Sequence, residues 1–173
     1  MRRFALPFAV CAPLAHPAAA LIEVQFFDSV PWDVFTITST GCPITAAELV
    51  IDLRSSFAGV VIDTAYGGAG SQAPLPAELA AGKAILSPVS DGDQQLIVAI
   101  GRLDVDTPIR LQMDVDDTAA FSQNSRIAVA SGELAGATVT LRHDGAETHG
   151  TFDRNGFAFL PAPETLPDCN LIG

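Results

Sequence analysis

Positive charge is scarce in this sequence. Nine Lys and Arg stand against twenty Asp and Glu, a formal net charge of −11 over 173 residues. A chain this acidic repels nucleic acid and anionic lipid, and it attracts divalent cations or basic partners. Solubility is the plainer use of the same surface. Aromatic side chains suited to stacking on sugars are also few, with one Trp (Trp32) and one Tyr (Tyr66). Most of the ten phenylalanines fall where a hydrophobic core would want them. Histidine occurs three times, at His16, His143 and His149. No Gly-x-Ser-x-Gly elbow is present, so the usual setting of a nucleophilic serine is missing. The run Gly67-Gly68-Ala69-Gly70 follows a strand-like segment, but neither a lysine nor an amphipathic helix comes after it. Without them a phosphate cradle has neither its charge nor its helix dipole. These absences weigh against catalysis, and the sequence is read as that of a non-enzyme.

What is present begins with an export signal. Arg2 and Arg3 precede an apolar stretch over 4–14, and Ala18-Ala19-Ala20 supplies a small-residue cleavage site. That order defines a secretory signal peptide. The apolar stretch is too short, and too broken by Pro7 and Pro13, to span a bilayer, and no later segment is long enough. Removal of residues 1–20 leaves 153 residues, with seven Lys and Arg facing twenty Asp and Glu, a formal charge of −13. One domain of this size buries about two-thirds of its unfolded surface. Cleavage also removes Cys11, leaving Cys42 and Cys169. An even pair in a periplasmic or extracellular protein favours a disulfide tying an early loop to the C-terminal tail. Two unpaired thiols are the alternative.

The hydrophobic period is two along most of the chain. Phe35 and Ile37 alternate with threonines, and Leu49, Ile51 and Leu53 alternate with Val50 and Asp52. Leu96, Val98 and Ile100 follow, and later Ala137, Val139 and Leu141. Ile109, Leu111, Met113 and Val115 share one face, with Arg110, Gln112, Asp114 and Asp116 on the other. Such alternation marks strands with one face on a core and one in water. Asp144-Gly145 and Asn155-Gly156 read as two-residue hairpin turns, the first placing Arg142 opposite Glu147. The only helix-like stretch, around Leu79, is weakly patterned and is assigned to a long loop over 65–83. Nine or ten strands without intervening helices predict a two-layer antiparallel β-sandwich over 21–160, immunoglobulin-like or jelly-roll-like. Residues 161–173, rich in proline and carrying Cys169, form an extended tail.

Two groups of side chains carry potential metal chemistry. His143 and His149 flank the Asp144-Gly145 turn, yet that register sets them roughly 10 Å apart along the ribbon, too far to share one ion. The carboxylates are more promising. Asp114, Asp116 and Asp117 fall within four positions where a strand ends, and Asp91 and Asp93 bracket a glycine. Calcium takes six to eight oxygens and favours clustered carboxylates. If the strand after 94 and the strand over 108–115 are antiparallel neighbours, both groups meet at one end of the sandwich. The expected site is therefore calcium held by Asp91, Asp93, Asp114, Asp116 and Asp117, with Asp63 as a further ligand. A solvated strand end is the plainer reading.

A resemblance adds to this. The segments Asp33-Val34-Phe35-Thr36-Ile37-Thr38, Gly41-Cys42, Val50-Ile51-Asp52-Leu53, Val61-Ile62-Asp63-Thr64, Asp91-Gly92-Asp93, Met113-Asp114-Val115-Asp116-Asp117-Thr118 and Glu133-Leu134-Ala135-Gly136 occur in that order. Together they resemble small exported bacterial proteins labelled "aggregation factor core protein", over about residues 24–160. The resemblance implies an extracellular, calcium-dependent role in cell adhesion or matrix, with a protein or polysaccharide partner, and names no catalytic residue. A metal-independent carbohydrate- or ligand-binding module and a purely structural exported domain are the competing readings.

Overall fold

The computed structural model describes residues 21–70, 74–118 and 129–166. Residues 1–20, read from the sequence as a signal peptide, and Cys169 lie outside these described residues. The fold is an antiparallel β-sandwich, with two five-stranded sheets enclosing one core. The first sheet contains β1 (Leu21–Phe27), β2 (Asp33–Thr40), β5 (Glu78–Ala81), β8 (Ile109–Met113) and β12 (Phe157–Pro161), in the order β12-β1-β2-β8-β5. The second contains β3 (Ile44–Asp52), β6 (Lys83–Leu86), β7 (Gln95–Leu103), β10 (Thr138–His143) and β11 (Ala146–Thr151), in the order β11-β10-β3-β7-β6. A small third ladder joins β4 (Val61–Ile62) to β9 (Val115–Asp116).

The period-two pattern explains this layering directly. In β1 and β2, Ile22, Val24, Phe26, Phe35 and Ile37 turn inward and are buried. From the other sheet Leu49, Ile51, Val98, Val139 and Leu141 meet them across the core. Rings of Phe26 and Phe152 pack on Phe35 at centroid distances of 5.1 and 6.1 Å. The Asp144-Gly145 turn pairs His143 with Ala146 and Arg142 with Glu147 as read from the sequence. Arg142 Nε donates to Glu147 Oε1 at 2.8 Å.

Four local expectations are corrected. Residues 78–81 are a strand, β5, paired with β8 along the edge of the first sheet, and not part of an unstructured loop. Leu79, set opposite Leu111, packs against the core, so tertiary burial overrides the weak local pattern. Asn155-Gly156 does not close a hairpin within one sheet, because β11 and β12 belong to different sheets. Its turn is organised by Asp153, whose carboxylate accepts from the backbone N–H groups of Asn155 and Phe157 at 2.8 and 3.0 Å. β7 and β8 are not neighbours either, since each lies in a different sheet. Finally, the strand over 108–115 breaks at Asp114. Its continuation, β9, leaves the first sheet to pair with β4, so that Asp116 is buried, not exposed on a water-facing side.

Beyond β12 the chain packs back on the sandwich. Leu166 is buried, and Thr165 Oγ1 donates to the carbonyl of His143 at 3.0 Å. Among the described residues no helix is long and apolar enough to cross a membrane.

Candidate metal centre

The β4–β9 ladder is the scaffold of the site. Val61 pairs with Asp116 and Ile62 with Val115, and the Asp63 N–H donates to the carbonyl of Asp114 at 3.1 Å. On its other side Ile62 is fastened to the 91–93 loop. Its N–H donates to Asp93 O at 2.9 Å and its carbonyl accepts from the Gly92 N–H at 2.8 Å. The loop after β4, the loop before β7 and the segment after β8 thus converge, although β7 and β8 reach this end from opposite sheets.

Three carboxylates share the resulting space. Asp63, Asp114 and Asp116 each offer an oxygen within 4.8 Å of the others. Two oxygens bound to one calcium at 2.3–2.6 Å are separated by at most about 5.2 Å, so the spacing suits a hard divalent cation. Burial makes the arrangement costly without one. Asp63 is 0% exposed and Asp116 1% exposed. Asp63 Oδ2 is buried with no hydrogen-bond partner, and such a group loses its hydration without replacement. Burial foremost, then a hydrogen bond with Asp91 and the charges of Asp116 and Asp91, lifts the Asp63 pKa from 3.8 to about 6.

Backbone close approach completes the site. A Cβ placed on Gly70 would stand 2.2 Å from Asp116 Oδ2 and 2.6 Å from Asp63 Cβ. Only a residue without a side chain lets this loop lie against the carboxylates.

The five aspartates expected from the sequence do not act as one set. Asp114 and Asp116 join the cluster, and Asp63 joins as a central member. Asp91 is adjacent but differently engaged. Its Oδ2 accepts from the Ala69 N–H at 2.7 Å, and its Oδ1 accepts from Thr64 and Ala65 at 3.0 and 3.2 Å. These backbone donors, Ala69 first, hold its pKa below the ordinary carboxylate value. Asp91 is thus an ionised anchor for the glycine loop. Asp93 caps its own turn, accepting from the Ser90 N–H at 2.7 Å, and stands outside the cluster. Asp117 is buried but also falls outside it, because alternation turns it away from Asp116.

Asp33 was not singled out by the sequence reading. It is 7% exposed at the start of β2, where Oδ2 accepts from the Val115 N–H at 3.0 Å and Oδ1 from Ser29 at 3.4 Å. It therefore fixes the residue between Asp114 and Asp116. Burial, the largest influence, raises its pKa to about 7 despite those two bonds. A signal was present in the sequence: Asp33 shares the inward parity of Phe35 and Ile37. His143 and His149 occupy separate settings, their Nδ1 atoms 2.8 Å from Thr165 Oγ1 and 3.1 Å from Thr140 Oγ1 respectively. An open groove of about 640 Å³ on the second sheet, bordered by Glu48, Lys83, Ile85 and Arg142, includes none of the clustered carboxylates.

The fold and site together define an antiparallel β-sandwich with an acidic triad at one end, two of its three carboxylates buried. The chain matches no family model, no curated protein and no solved structure.

Proposed function

We propose that this protein is an exported, non-catalytic β-sandwich module that binds calcium and serves in cell-surface adhesion or matrix assembly. The observation that carries the reading is the Asp63–Asp114–Asp116 cluster, with one buried Asp63 oxygen lacking any hydrogen-bond partner. A hard cation with several oxygen ligands resolves both the like-charge crowding and the unsatisfied oxygen. Asp63, Asp114 and Asp116 are the ligands in this reading. Asp91 positions the glycine loop above them, and Asp33 positions Val115 below. The adhesion role rests on the resemblance to aggregation factor core proteins and on the export signal.

Calorimetric titration with calcium tests the site. The mature wild type is expected to release or absorb heat with saturation, and its melting temperature is expected to rise. At a hundredfold excess over the dissociation constant the gain is about 2.7 kcal/mol. Asp63→Asn and Asp116→Asn are expected to abolish both responses while remaining folded. No heat and no thermal shift in the wild type would return the cluster to a structural role.

The disulfide belongs to the same proposal. Cys42 is fully buried just after β2, where Ser39 Oγ donates to its carbonyl at 2.5 Å. Thiol titration of unfolded, unreduced mature protein is expected to find no free sulfhydryl, which assigns the bridge to Cys42 and Cys169. Two free thiols would remove it and leave the tail without a covalent anchor.

A further inference from the structure

Large apolar side chains left in water are not spread evenly over this molecule. The three most exposed among the described residues are Val30, Phe57 and Tyr66, at 89, 85 and 81%. Each stands singly on its own loop, and all three loops belong to the end of the sandwich that carries the acidic triad. The loop over 28–32 joins β1 to β2 where Asp33 lies opposite Met113, the last residue of β8. The loops bearing Phe57 and Tyr66 follow β3 and β4.

Every one of these loops is fastened to the carboxylate segment or to the carboxylates themselves. Asp33 accepts from the Ser29 N–H with one oxygen and from the Val115 N–H with the other. Thr118 donates its N–H to the Ala58 carbonyl at 3.3 Å and its hydroxyl to the Gly59 carbonyl at 2.9 Å. The glycine loop carrying Tyr66 is bonded to Asp91, and its Gly70 lies against Asp63 and Asp116.

We propose that this end docks on a bilayer surface bearing anionic phosphate headgroups, bridged by the bound calcium. The inference rests on the calcium reading above and names its partner. A protein partner calls for a contiguous, densely packed apolar centre. Here the apolar groups are single side chains, and their loops leave both layers of the sandwich, which pack about 10 Å apart. Separate tips suit a fluid bilayer, because each enters the boundary between headgroups and acyl chains without a matching cavity. Tyr66 fits that depth with an apolar ring and a wet hydroxyl. Charge makes the docking conditional. Asp91, Asp93 and Asp117 stand at this end beside the triad, so the metal-free protein is repelled by anionic lipid. Calcium changes the sign locally. Three carboxylates giving one oxygen each leave most of its six to eight positions open, and phosphate oxygens are hard ligands of the same kind. Asp114 is only partly buried, so the cluster is not sealed from solvent. Arg154, exposed on the turn before β12 at the same end, adds a permanent positive charge.

Flotation of the mature protein with vesicles of phosphatidylcholine, alone or mixed with an equal part of phosphatidylglycerol, tests the proposal in calcium and in EDTA. Co-flotation is expected with the mixed vesicles in calcium, and neither in EDTA nor with phosphatidylcholine alone. The double substitution Phe57→Ser with Tyr66→Ser is expected to weaken partition roughly tenfold or more, the scale of two rings returned to water. Since both side chains are exposed, that variant is expected to keep the wild-type melting temperature and calorimetric response to calcium. Undiminished flotation of the variant would overturn the proposal, as would binding indifferent to calcium or to lipid charge. Heat with calcium but no flotation of the wild type would overturn the lipid partner and leave the calcium site standing. Absence of heat would remove both. Calcium-dependent dimers in sedimentation velocity without vesicles, lost in the double variant, would overturn the lipid surface in favour of a second copy of this chain.

Discussion

Metal-free protein is expected to become more stable as the solution is acidified from about pH 8 to about pH 5, because its folded state takes up protons there. Asp33 dominates this behaviour. Its pKa lies near 3.8 in an unfolded chain and about 7 in the fold, raised chiefly by burial. Above pH 7 the carboxyl is ionised in both states, and the fold bears the cost of a buried charge. Between the two pKa values only the folded state is protonated, so that cost is relieved as pH falls. Between about pH 7 and about pH 5 that differential protonation contributes at most roughly 3 kcal/mol, at about 1.4 kcal/mol per pH unit. For a domain of this size that means a rise of roughly 5–10 °C in melting temperature. Asp63, raised to about 6, adds in the same direction. Asp52, Asp91, Asp104 and Asp153 have lowered pKa values. Their stabilisation is complete above the unfolded pKa and is lost only in stronger acid, so it does not oppose the gain at pH 5. Urea unfolding in EDTA across this range measures the effect. Stability that is flat, or that rises toward pH 8, would refute it. Asp33→Asn is expected to remove most of the slope. Saturating calcium is expected to remove the Asp63 share, since an ion stabilises the charged form of its ligand.

Phe35→Ala is expected to cost about 3–5 kcal/mol, the range for deleting a buried aromatic ring and leaving a cavity. Phe35 is 0% exposed and sits between the Phe26 and Phe152 rings, with Leu111 beside it across the β2–β8 ladder. These neighbours belong to separate strands and a connecting loop, so collapse into the void would require several backbones to move together. Equilibrium urea unfolding, set against the exposed Phe159→Ala, checks the claim. A loss below about 1 kcal/mol at Phe35, the usual scale for surface changes, would contradict the packing described.

Much of the architecture was legible because period two is a local signal. The inward sets Phe35 and Ile37, Leu49 and Ile51, and Val139 and Leu141 were readable from alternation alone, and so was the Asp144-Gly145 turn with its Arg142–Glu147 pair. What escaped was the choice of sheet. Nothing local distinguishes a turn that closes a hairpin from one that hands the chain to the opposite layer, which is how Asn155-Gly156 was misread. The site divided in the same manner. Asp114 and Asp116 were visible as crowded charge, whereas selecting Asp63 over Asp93 depended on which loop β4 delivers to β9. That is a long-range pairing. Asp33 was concealed for a related reason: its inward parity was readable, but the backbone N–H it satisfies lies in Val115, far along the chain.

One pairing has a kinetic consequence. β1 is flanked by β2 and by β12, so the first and last strands of the described fold lie side by side, with Leu21 against Pro161. A nascent chain can form the β1–β2 hairpin early, but the outer side of β1 stays open until β12 emerges. Contacts between opposite ends of a chain carry the largest loop-closure cost and slow folding. Completion of the first sheet is therefore a late event that needs the chain from β1 through β12. Truncation within 157–161 would leave β1 as a bare edge, with unpaired backbone groups available to another chain.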